Sequence, residues 1–338
     1  MHSEFELISR YFTPEAPGAD AGVSLGVGDD CTLLAPTAGQ RLAVSVDTSV
    51  AGVHFPEAAP AAAIGHRALA VSLSDLAAMG ARARWCLMSL TLPAADDDAW
   101  LADFARGFHA LCDATGTALV GGDVTRGELA IGVTVMGEVP PEQALTRSGA
   151  RPGEVLAVTG ALGGGAGGLA LWQRGERDLA HPLLARYLHP RPRLNAGLAL
   201  RGLASAAIDV SDGLLADLGH VLEASGVGAE LIPEALPLAE GLFDALGEAG
   251  AREAALHGGD DYELLLALPP EHLATARGRL AELGLALTEI GRLVEAPGIR
   301  GVALGSERGW QHFQPSGGPS GGAPSGGAPS GGAPGGAS

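Results

Sequence analysis

Residues 148–153 read Ser-Gly-Ala-Arg-Pro-Gly, and this stretch divides the 338-residue chain. Gly and Pro together break any helical or strand period, and the pattern of apolar residues restarts after them. Before the break, periodicity predicts a short helix over Ser3–Phe12 and strands over Val23–Val27, Cys31–Leu34 and Arg41–Val46. It then predicts a helix over Ala61–Met79, a strand over Arg84–Leu92, a helix over Asp97–Thr115, and strands over Thr117–Val120 and Leu129–Val139. After the break, strands are predicted over Val155–Val158, Ala206–Val210, Ala229–Ile232, Tyr262–Leu268 and Ala286–Leu293. Helices are predicted over Gly168–Arg174, Leu194–Ala204, Leu214–Ser225 and Glu271–Leu283. Strands and helices interleave without the regular beat of a doubly wound sheet, which predicts two α+β domains, 1–148 and 149–314. Residues 315–338 repeat Pro-Ser-Gly-Gly-Ala with no charge and no large apolar side chain, the composition of a disordered tail.

The formal charge of −18 excludes a phosphate-backbone partner, since nucleic acid requires a basic face. All 21 basic residues are Arg; the chain has no Lys. That excludes a phosphate-loop NTPase, a protein-kinase-like site and Schiff-base chemistry, each of which needs a lysine. Cys31, Cys86 and Cys112 are too few and too scattered for a disulfide framework or a zinc knuckle. The N-terminus lacks a cationic start followed by an apolar run, and no stretch of about 18 residues is continuously apolar. These features predict a cytoplasmic protein outside the membrane.

The chemistry resides in acidic residues set among small ones. Gly28-Asp29-Asp30, Ser45-Val46-Asp47, Ser74-Asp75, Gly121-Gly122-Asp123, Asp209-Val210-Ser211-Asp212 and Gly258-Gly259-Asp260-Asp261 repeat one design. Each sets carboxylates beside residues that leave room for a ligand, at the predicted end of a strand or flank of a helix. Carboxylates so gathered repel one another unless cations lie between them, whereupon they become a platform for phosphate. Turn and cap readings stand beside this one: Asp212 also reads as the cap of the helix from Leu214, and Asp96–Asp98 as a cap and first turn. Gly163–Gly168 is a candidate anion cradle or an empty glycine turn. Arg126 and Arg147 follow strands and read as phosphate forks or solvated surface. His54 reads as a loop residue or a ligand contact, and Trp310 as a stacking platform or core.

Read in order, LGVGDDC, SVDTSVAGVHF, RALAVSLSDLAAMGA, LVGGDVTRG, LTRSGARPG, AIDVSDGLLADLGH and GGDDYEL resemble the thiamine-monophosphate kinase family over residues 3–313. That family sits in a superfamily with aminoimidazole ribonucleotide synthetase and selenophosphate synthetase. The resemblance implies a two-domain α+β, aminoimidazole ribonucleotide synthetase-like fold whose N-terminal domains form a homodimer through their sheets. It implies transfer of the ATP γ-phosphoryl group to thiamine monophosphate with several Mg2+ ions and no protein nucleophile. By position it implies metal ligands at Asp30, Ser45, Val46, Asp47, Asp75, Asp123, Asp209 and Asp212. It likewise implies ATP contacts at Gly122, Asp123, Arg147 and Ser211, and substrate contacts at His54, Asp260 and Trp310. The sequence departs from the family where Asp260 replaces Glu, Val46 Thr, Arg67 Lys, Ser72 Asn and Gly164 Asp, so the Gly163–Gly168 loop is given no role. Another ATP-dependent synthetase of the superfamily is the first alternative. Selenophosphate synthesis would need a reactive cysteine, and Cys31 is expected to be buried. The second alternative is a non-catalytic divalent-cation-binding protein.

Overall fold

The computed structural model describes residues 3–13, 22–94 and 97–302. Trp310 and the 315–338 repeat lie outside them. The chain opens with α1 (Glu4–Leu7), which widens into a π-helical turn over Ile8–Phe12, and a two-stranded antiparallel ribbon of β1 (Val23–Leu25) and β2 (Leu33–Leu34). Then follow β3 (Arg41–Val50), α2 (Ala61–Ala78), β4 (Arg82–Leu92), α3 (Asp98–Thr115), β5 (Ala118–Arg126) and β6 (Ala130–Val139). The four strands form one sheet in the order β3-β6-β4-β5, antiparallel except for the β4–β5 pair joined through α3.

The helix α3 has legible ends. Asp97 accepts a hydrogen bond from the Trp100 amide at 2.9 Å, and Gly116 closes the helix in the left-handed region at φ 66°. The helix α2 is apolar on nearly every side because it is packed on nearly every side, against α3, α6, β3, β6 and β8. It approaches α3 so closely that a Cβ on Gly107 would fall 1.9 Å from the Ala62 carbonyl oxygen, and one on Gly65 2.2 Å from that of Phe104.

The second half contributes β7 (Val155–Thr159), α4 (Gly164–Gln173), α5 (Pro182–Leu188), α6 (Leu194–Leu200), β8 (Ala206–Asp209), α7 (Leu214–Ser225) and β9 (Gly228–Leu231). It ends with α8 (Leu242–His257), β10 (Leu264–Leu268), α9 (Leu273–Ala281), β11 (Leu287–Val294) and β12 (Gly298–Arg300). A six-stranded sheet runs β12-β9-β11-β7-β10-β8, antiparallel except for β12 on β9. Leu264–Leu268 and Val155–Thr159 are buried on both faces because helices cover both sides. The α6 helix docks on α2, where Gly197 lets the Ala77 carbonyl approach.

Several local expectations change. The strands β3 and β5 run on through Asp47 and Asp123, which the sequence reading placed just past strand ends. Helices α5 and α8 were not anticipated: α5 is short, and α8 is interrupted at Gly247, with φ 70° and ψ 174°. Cys31 is exposed, against the expectation of burial, because β2 begins only at Leu33. Among the described residues no helix is long and apolar enough to cross a membrane.

Candidate active site

The strand β3 inverts the usual alternation of an edge strand. Successive side chains point to opposite faces, and here the polar set, Ser45 and Asp47, turns inward toward α2. The apolar set turns out: Val44 is 60% and Val46 64% exposed, and Leu42 is exposed with them. On α2, Arg67, Val71 and Asp75 recur at a spacing of four and so share one helix face. All three line a cleft of about 910 Å³, together with Asp47, His54, Asp209, Ser211, Asp212 and Asp260. The cleft runs between the two halves of the chain.

At one end the carboxylates meet. The Ser45 hydroxyl donates to Asp75 Oδ2, and the Ser74 hydroxyl donates to Asp209 Oδ2 at 2.6 Å, a bond from α2 to the end of β8. Burial and then the neighbouring Asp75 charge push the Asp47 carboxyl up to about 6, against a hydrogen bond from Ser72. Burial and the same Asp75 charge push Asp209 up to about 7, although Ser74 donates to it. The cluster is thus short of positive charge. No three metal-ligating side chains among the described residues close to the spacing of a preformed single-ion cage. The donor set nevertheless fits Mg2+, which takes hard oxygens, needs one or two carboxylates per ion and fills its remaining positions with water or phosphate oxygens. Asp47, Asp75, Asp209 and Asp212, with Ser45 beside them, are the residues here able to hold it.

Asp212 does not cap α7. The N-cap is Gly213, without a side-chain bond. Asp217, in the first turn of α7 and 2% exposed, instead pins the loop before the helix, accepting from the amides of Ser211 at 3.0 Å and Asp212 at 3.1 Å. Burial, then Asp209 and Asp212, push its carboxyl up to about 7. The signal in the sequence was an acid inside the apolar run Leu214–Leu218.

At the other end of the cleft stands Arg67, 3% exposed. It donates to the carbonyls of His54 (3.2 Å) and Tyr187 (2.6 Å) and to Asp260 Oδ1 (2.6 Å), and lies over the Tyr187 ring at 4.8 Å. Burial works to lower its pKa; Asp260, Tyr262 and Tyr187 together more than offset that, so the guanidinium stays charged. Asp260 sits at φ 69°, in the left-handed region that Asp tolerates better than most residues. It is held there by Arg67 and by the Tyr262 hydroxyl at 2.8 Å, both on Oδ1. Its Oδ2 has no partner among the described residues. His54 Nδ1 accepts from the Val50 amide at 3.0 Å, which leaves the proton of a neutral ring on Nε2.

Other predicted residues stand apart. Asp30 is exposed in the turn after Gly28, its amide bonded to Asp29 Oδ1 at 2.8 Å. Gly122 and Asp123 lie on β5, at the opposite edge of the sheet from β3, with β6 and β4 between. Arg147 is exposed in the connection between the domains, and its carbonyl accepts from Ser225. The Gly163–Gly168 turn is no open anion cradle: the amides of Gly163 and Gly165 already donate to the buried Asp261 carboxylate at 2.6 and 3.1 Å. Burial pushes that carboxyl up to about 7. Glu263, fully buried, binds Arg193 through both oxygens and Thr159 through one. Both acids follow Asp260 in the sequence.

Comparison with known proteins gives the same frame. Residues 28–139 match the AIR synthase related protein N-terminal domain, and residues 151–303 match the corresponding C-terminal domain. A thiamine-monophosphate kinase of Salmonella typhimurium is 42% identical over 92% of this chain and 98% of its own. The crystal structure of the thiamine-monophosphate kinase from Stenotrophomonas maltophilia is 46% identical, with a TM-score of 0.79 over 83% of this chain and 92% of its own. A further structure, AaThiL complexed with AMPPCP and TMP, is 32% identical, with a TM-score of 0.74 over 82% of this chain and 89% of its own. With both domain models matched and identities above 40% over most of its length, the chain belongs to the thiamine-monophosphate kinase family of AIR synthase related proteins.

Proposed function

We propose that this protein transfers the γ-phosphoryl group of ATP to the phosphate of thiamine monophosphate, giving thiamine diphosphate and ADP, with Mg2+ held in the interdomain cleft. The observation that carries the reading is the meeting of Asp47, Asp75 and Asp209, from β3, α2 and β8, around one cleft with hydroxyls beside them. A relative crystallised with AMPPCP and TMP supports the pair of substrates.

Bound magnesium would neutralise the phosphate oxygens of two anions that otherwise repel. The chain's own residues do the rest. Asp47, Asp75, Asp209 and Asp212 gather the charge, with Ser45 and the Val46 backbone as further oxygen donors. Asp217 fixes the backbone of Ser211 and Asp212 through their two amides. Arg67 holds Asp260, which lines the cleft, by Oδ1 alone, and we assign the other carboxylate oxygen to a hydrogen bond with the thiamine moiety. His54 joins the same end, and we assign Trp310 as the ring that stacks on thiamine. The phosphate monoester is already ionised near pH 7, so no side chain need act as a strong base. Orientation supplies the catalysis.

We assign Asp30 and Asp123 as further metal ligands, and Gly122, Asp123, Arg147 and Ser211 as ATP contacts. The first requirement of that assignment is assembly, because β5 stands at the far edge of the sheet from β3. A homodimer formed over the outward apolar face of β3, on which Leu42, Val44 and Val46 are exposed together, meets it. We place the protein in the cytoplasm.

The test is incubation with ATP, magnesium and thiamine monophosphate, followed by chromatography of the thiamine esters. Thiamine diphosphate should form and free thiamine should not serve as acceptor. Asp47→Asn should fold normally and lose turnover. Absence of product with the wild-type protein would remove the proposal.

A further inference from the structure

A second cleft, of about 620 Å³, lies between the start of β4, the end of α3 and the segment 190–198 of the C-terminal half. It shares no lining residue with the carboxylate cleft. Its charged lining is unlike the rest of the molecule. The chain carries 39 acidic and 21 basic residues, yet the ionised side chains here are Arg82, Arg84, Arg191 and Arg193, with no carboxylate among them.

The partners of these arginines are unequal. Arg193 is committed to the buried Glu263 at 2.5 and 2.7 Å, and Arg84 stands 3.6 Å from the buried Glu138. Both acids lie behind the wall. Arg82 and Arg191 are exposed and make no hydrogen bond or ion pair with a described residue. Four positive charges against two negative leave a local excess of two. Both unpaired guanidinium groups act on their surroundings: after burial, Arg191 depresses the pKa of His66, which lines the cleft, and Arg82 depresses that of Arg201. His66 therefore stays neutral, its Nε2 2.9 Å from the Pro190 carbonyl oxygen. Beside the arginines, Leu111, Leu194 and Leu285 form an apolar wall.

We propose that this cleft is a binding site for a small organic phosphate or diphosphate. Planar guanidinium groups match phosphate oxygens in pairs. The leucine wall takes an apolar or aromatic body, and the volume is that of small-molecule sites. The proposal does not rest on the phosphoryl-transfer reading. It also separates from it experimentally, because the carboxylate cleft repels anions unless a divalent cation is present, whereas arginines need none.

The experiment is calorimetric titration of the full chain in EDTA at low ionic strength, with inorganic pyrophosphate, thiamine diphosphate and ADP in separate arms. We expect saturable binding of pyrophosphate at one site per chain, weakened at least about tenfold in Arg82→Ala/Arg191→Ala and unchanged in Asp47→Asn. Raising the salt should weaken it further, as screening lengths shrink below about 10 Å above 0.1 M. The apolar wall requires at least one of the two organic diphosphates to bind more tightly than pyrophosphate, and the tighter one identifies the body the wall accepts. The double variant changes exposed side chains, and an unchanged melting temperature would verify its fold. No saturable binding in EDTA, equal binding by wild type and double variant, or no preference for either organic diphosphate would overturn the proposal.

Discussion

Asp47 and Asp209 share a neighbour, Asp75, whose charge raises both, after burial, to about 6 and about 7 from an ordinary 3.8. Asp217 and Asp261, also buried, are raised to about 7. A carboxyl raised in the folded state binds its proton more tightly there than in the unfolded chain. Its stability contribution is full below the unfolded value and is lost as pH rises through the folded one. The metal-free protein should therefore lose stability between about pH 4 and pH 7, and Mg2+ should restore more of it at pH 8 than at pH 5. Differential scanning calorimetry in EDTA and in magnesium across that range checks this; a metal-free melting temperature that rises with pH would contradict it. The carboxylates themselves were legible in the sequence because each sits among Gly, Ser or Thr. Their partners were less so. Asp217 and Arg67 announce themselves only as charges inside apolar stretches, and their meaning depends on which backbone they face.

At the scale of elements, α2 is the axis of the site. It carries Arg67, Ser72, Ser74 and Asp75, and it must stay close to both α3 and α6 for those side chains to reach β3, β8 and the 260–262 segment. The Gly65–Gly107 crossing sets that closeness. Gly107→Ala puts a methyl 1.9 Å from the Ala62 carbonyl oxygen, so the helices must part. The expected cost is about 1–3 kcal/mol in urea denaturation, with reduced turnover; a variant as stable as wild type would contradict the tight crossing. The helix α2 itself was plain from its apolar run, and α3 from its cap and closing glycine. The helices α5 and α8 were hidden, α5 by its brevity and α8 by the break at Gly247. The strands β3 and β5 were cut short because Asp and Gly discourage strands, while pairing to β6 and β4 carries each through its acid.

At the scale of the molecule, the presence of two α+β halves was legible in the alternating strand and helix pattern. The cleft between them was not, since it depends on long-range contacts such as Ser74 with Asp209. The outward apolar face of β3 calls for a partner surface. Leu42→Lys/Val44→Glu should shift the protein from dimer to monomer in analytical ultracentrifugation and lower activity, while far-UV circular dichroism stays unchanged. An unaltered mass, or a wild-type protein already monomeric, would remove the dimer from the account.

Labelled phosphate directly follows magnesium-dependent phosphoryl transfer from ATP to thiamine monophosphate. With [γ-32P]ATP, thiamine monophosphate and magnesium, the label should appear in thiamine diphosphate in equal amount to the ADP formed, and EDTA should abolish its transfer. Label released only as inorganic phosphate, or transferred equally well in EDTA, would contradict the account.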